Sequence, residues 1–117
     1  IIPTIVAPYW DDLLPAATGD SNIYVATTGI APDRHFVVEW RNIKNYGALG
    51  TATFQVIFYE NSPDILINYA DTIFGDVAYD SGASATIGVQ TLANAATLYS
   101  YNVASVMSPK SVLFRFE

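Results

Sequence analysis

Thr51-Ala52-Thr53-Phe54-Gln55-Val56-Ile57-Phe58-Tyr59 alternates with a period of two. Phe54, Val56 and Phe58 fall on one side of an extended chain, and Gln55, Ile57 and Tyr59 on the other. Both sides carry apolar groups, which places this strand in the middle of its sheet. Glu60-Asn61-Ser62-Pro63-Asp64 is a tight polar turn. Residues 65–69 return as a second strand, so 51–69 forms a hairpin. Upstream, residues 43–50 read as a connection rich in Asn, Tyr and Gly. Residues 35–42 make a further strand, with Phe36, Val38 and Trp40 on one face and His35, Val37, Glu39 and Arg41 on the other.

The same pattern continues in both directions. Short strands are expected at 22–27, 85–90, 97–102 and 111–117, with an extended segment at 2–10 that Pro3 and Pro8 confine to an edge or to broken pairing. Turn chemistry fills 28–34, and residues 71–84 read as a looser stretch whose Asp71, Asp76 and Asp80 are solvated acids. Gly88 is expected beneath a bulky neighbour. No sustained 3.6-residue period occurs. Residues 1–117 are therefore expected to form one domain, an all-β, two-sheet antiparallel sandwich of the Ig-like or jelly-roll-like kind. Trp10, Trp40, Phe54, Val56 and Phe58 are its expected core anchors.

Composition narrows the function. Half of the 117 residues are hydrophobic and 14% are charged, so the chain is not a disordered one. Net charge is −6, and Lys44 and Lys110 are the only lysines. Nucleic acid is excluded as a partner because phosphates need a basic footprint. Insertion into a membrane is not expected, since no apolar run reaches the ~18 residues of a span. With no cysteine, there are no disulfides, thiolate metal sites or cysteine nucleophiles.

Val6-Ala7-Pro8-Tyr9-Trp10-Asp11-Asp12-Leu13 sets two aromatics beside two carboxylates. It reads as a strand that ends with Trp10 turned into the core and the Asp pair holding the next loop. Followed in order by Phe36-Val37-Val38-Glu39-Trp40, Phe54 to Glu60, Asp64-Ile65-Leu66 and Gly82 to Gln90, this stretch resembles a β-rich module of secreted prokaryotic surface proteins and subtilase-associated regions. The start is also distantly similar to the extracellular NIDO domain of nidogen, where an apolar run leads into Pro-Phe-Trp-Ala-Asp. The resemblance implies an extracellular or cell-surface, non-catalytic structural or adhesive role. Modules of this kind carry more strand sequence ahead of the motif, whereas residues 1–6 precede it here. A sandwich lacking that N-terminal strand would expose an apolar groove and an open edge. A strand from another copy of the chain, or from another surface protein, would fill the groove and, repeated, make a filament.

Candidate sites are few. Asp11 and Asp12 either cap backbone N–H groups or, with Asp20, supply oxygens to calcium. No other cofactor is expected. Tyr46, Tyr59, Tyr99 and Tyr101 could serve as a stacking platform for a glycan or peptide, which would make the chain a carbohydrate- or peptide-binding accessory domain of a secreted hydrolase, or simply as half-buried sheet tyrosines. Glu39 and Arg41 read as a surface ion pair. Glu39 with Glu60 would be a glycosidase pair only if the two faced each other across a cleft. His35, the single histidine, has no Gly-x-Ser-x-Gly elbow to serve, so no enzyme is expected.

Overall fold

A computed structural model describes residues 4–15, 19–92 and 95–116. Among the described residues nine strands form two antiparallel sheets packed face to face as a β-sandwich. The strands are β1 (Ile5–Trp10), β2 (Leu13–Leu14), β3 (Asn22–Thr28), β4 (His35–Asn45), β5 (Thr51–Tyr59), β6 (Ile65–Asp71), β7 (Thr86–Leu92), β8 (Ala95–Tyr101) and β9 (Lys110–Phe114). The large sheet runs β2-β4-β5-β6-β9, with β3 also paired to β4, and the small sheet runs β1-β7-β8. The expected hairpin is β5–β6, and β5 lies in the interior of its sheet. Among the described residues no helix is long and apolar enough to cross a membrane.

Register explains the core. Trp40, Phe54 and Tyr69 sit opposite one another on β4, β5 and β6, as do Val38, Val56 and Ile67, and Phe36, Phe58 and Ile65. These side chains face the small sheet, from which Tyr9, Ile87 and Val89 project back. Phe54 is sandwiched between the Tyr9 ring at 5.5 Å and the Trp40 ring at 5.2 Å, both stacked. Phe54 and Val56 are buried, while Trp40 and Phe58 are half-buried against the same cluster.

Trp10 is not part of that core: it is 65% exposed, and Tyr9, at 3%, takes its place. The cause is a β-bulge. Ala7 pairs with Gly88 and Trp10 with Thr86, so three steps along β1 match two along β7. The extra residue flips every side chain beyond it to the other face. Pro8, which has no N–H to give the ladder, sits inside the bulge and is buried together with Tyr9.

A second bulge lies between Trp40 and Ile43, where Asn42 takes φ 49°. It carries β4 on to Asn45, beyond the strand end expected at 42, and turns Ile43 fully inward opposite Ala52. The stretch after β6 is also more ordered than a run of solvated acids. One Asp80 oxygen accepts the backbone N–H groups of Phe74, Gly75 and Asp76, at 2.7, 3.0 and 3.3 Å. That closes a loop which buries Phe74 and Thr72 under the sandwich. Gly88 is covered by backbone rather than by a large side chain. A Cβ there would lie 2.6 Å from the Thr97 carbonyl oxygen on β8.

Candidate functional site

The end of β1 is held by Asp11. One of its oxygens accepts the Ser84 hydroxyl at 2.6 Å and the Asn45 side-chain amide at 3.0 Å, and the other accepts the Asp12 backbone N–H at 2.8 Å. Asn45 is buried, and its own oxygen accepts the Gly47 N–H at 3.0 Å. Asp11 thus ties β1, the end of β4 and the loop before β7 into one corner. Asp12 is exposed, and its carbonyl accepts the Tyr46 N–H at 2.9 Å. Asp20 is engaged separately, accepting the Asn42 amide at 2.8 Å. Among the described residues no three His, Cys, Asp or Glu side chains converge as a metal site, so Asp11, Asp12 and Asp20 do not form the ion cluster considered from sequence. Of the three carboxylates, Asp11 takes a backbone N–H, that of Asp12, and Asp20 takes a side-chain amide.

The four tyrosines do not meet either. Tyr59 sits opposite His35 on the large sheet, with the two rings edge to face at 4.7 Å. Tyr101 sits opposite Thr86 on the small sheet. Tyr46 follows β4 in an exposed turn, and Tyr99 lies with the Lys110 ammonium 5.9 Å from its ring centre. The acids are likewise apart in role. Glu39 holds Arg41 at 2.6 Å, and Glu60 holds Arg34 at 2.5 Å. The Arg34 side-chain and backbone hydrogen bonds push the Glu60 carboxyl down to about 2.

What the fold does expose is surface beside β1. The large sheet is wider than the small one, and its inner face continues past β1 onto β3. Ile23 and Val25 share that face with Trp40 and Val38, their partners on β4. They are left 43% and 65% exposed, and Phe36 43%. A groove of about 260 Å³ runs between β1 and Trp40. Among the described residues β7 is the one strand partner of β1, so its other edge stands open above this apolar shelf. Ile23 and Val25 were legible as strand residues, but their exposure depends on where the small sheet stops.

No curated protein and no solved structure matches the chain. A family model described as NIDO related matches residues 3–113, nearly the whole length. The chain belongs to the NIDO-related family, whose domains are structural modules of the extracellular type.

Proposed function

We propose that this is a non-catalytic extracellular adhesive module that joins to another copy of itself by accepting an extended strand along the open edge of β1. The observation that carries the reading is the coincidence of that edge with the uncovered Ile23, Val25 and Phe36. An added strand would satisfy the outward backbone groups of β1 and lay alternate side chains onto the apolar shelf. Proteins normally cover or charge such an edge. Here the adjoining shelf carries neither lysine nor a carboxylate at Ile23, Val25, Phe36 or Trp40. Head-to-tail repetition of the contact builds a filament, the arrangement expected of a surface protein. Catalysis is not part of the reading: His35 packs on Tyr59, and Glu39 and Glu60 are each committed to an arginine.

Val25→Lys tests it. The substitution brings the net charge from −6 to −5, so general repulsion between chains weakens while the shelf becomes polar. Light scattering across a concentration series should show wild-type oligomers larger than a dimer and a monomeric Val25→Lys with an unchanged melting temperature. A wild-type chain that stays monomeric at millimolar concentration would refute the proposal, as would a variant that associates equally well.

A further inference from the structure

The outward face of the small sheet carries a second surface, which meets the strand edge at β1 and runs away from it onto β7 and β8. Across it, side chains line up in rows. Trp10, Thr86 and Tyr101 form one row, and Ala7, Gly88 and Leu98 the next. The last row is Ile5, Gln90 and Ala96. Not one of these is charged, on a chain whose net charge is −6. Trp10, Leu98 and Tyr101 are 65%, 62% and 62% exposed. Small residues between Trp10 and Leu98 leave a shallow trough of about 110 Å³, and Tyr101 stands outside it across Thr86.

We infer that this face binds a neutral, extended glycan chain, with Trp10 and Tyr101 as its two stacking rings. Two strand spacings set those residues about 10 Å apart with only Thr86 between them. The three are paired across neighbouring strands, so an extended sugar chain can lie across all three positions. The apolar C–H face of a pyranose ring stacks on an indole or phenol ring. Its hydroxyls then need a few placed polar groups, which the Thr86 hydroxyl and the Gln90 amide supply in the trough. The absence of charge complements a neutral ligand.

The test is retention of the intact chain on immobilised neutral β-linked hexasaccharides (cellohexaose, hexa-N-acetylchitohexaose and mannohexaose), with tryptophan emission followed in solution. Wild type should bind at least one of them, with a blue shift as the Trp10 ring leaves water. Trp10→Ala should lose at least tenfold in affinity, and Tyr101→Ala severalfold, both keeping the wild-type melting temperature. Val25→Lys should bind the glycan as wild type does, which separates this surface from strand addition. The inference is overturned if none of the three is retained, or if hexagalacturonate is held more tightly than any of them. It is equally overturned if Tyr101→Ala leaves binding intact, or if it abolishes self-association instead.

Discussion

Tyr9 and Trp10 are neighbours in sequence with opposite fates. The Tyr9 ring stacks on Phe54, and its hydroxyl donates to the Tyr79 carbonyl at 2.8 Å while accepting the Gly82 N–H at 2.8 Å. Tyr9→Phe keeps the ring but orphans both groups, so chemical denaturation should show a loss of about 1–3 kcal/mol. Trp10→Ala, at an exposed site, should cost no more than about 0.5 kcal/mol in the same measurement. Burial also pushes the Tyr9 phenol up to about 12, with the Asp11 and Asp80 carboxylates adding to the shift against the Gly82 hydrogen bond. Tyr69 is raised as well, chiefly by burial, and donates to the Pro8 carbonyl at 2.5 Å. A phenol whose folded pKa is raised stabilises the fold fully below the unfolded value of about 10. That contribution is lost as pH rises through the folded value. Ultraviolet titration should therefore show two of the eight tyrosines resisting ionisation until the chain unfolds, between about pH 10 and pH 12.

At the level of elements, the alternation in residues 35–42, 51–59 and 65–69 is enough to assign strands, and β4, β5 and β6 follow it. Two places escape that reading for one reason. A bulge adds a residue to one strand in response to its partner, and nothing in the local pattern marks it. Pro8 hints at broken pairing but does not say on which side the next ring will emerge. The connection expected from residue 43 would end the strand at Asn42, yet the bulge there lets β4 continue. The β7–β8 pair depends on close backbone approach at Gly88. Gly88→Ala would drive a Cβ to 2.6 Å from the Thr97 oxygen, in backbone that cannot swing aside. It should lower stability by about 1–3 kcal/mol and loosen the amide protection of β8 in hydrogen exchange.

For the whole molecule, the decisive feature is that the two sheets differ in width. The small sheet covers the inner face as far as Trp40 and stops, leaving β3 with no layer above it. An uncovered inner face and an open edge lie on one side, and an uncharged aromatic face on the other. If both are used, Val25→Lys and Tyr101→Ala should each remove one kind of binding and spare the other. Period-two alternation alone determined the all-β class, the hairpin and the Phe54–Val56–Phe58 core, because which side a strand residue faces is set by its immediate neighbours along the chain. The swap of Tyr9 for Trp10, the separation of Asp20 from Asp11 and Asp12, the scattering of the tyrosines and the bare shelf on β3 were decided by tertiary structure. Each depends on which distant strand pairs with which, and in what register, and a one-residue shift in that pairing exchanges core for surface.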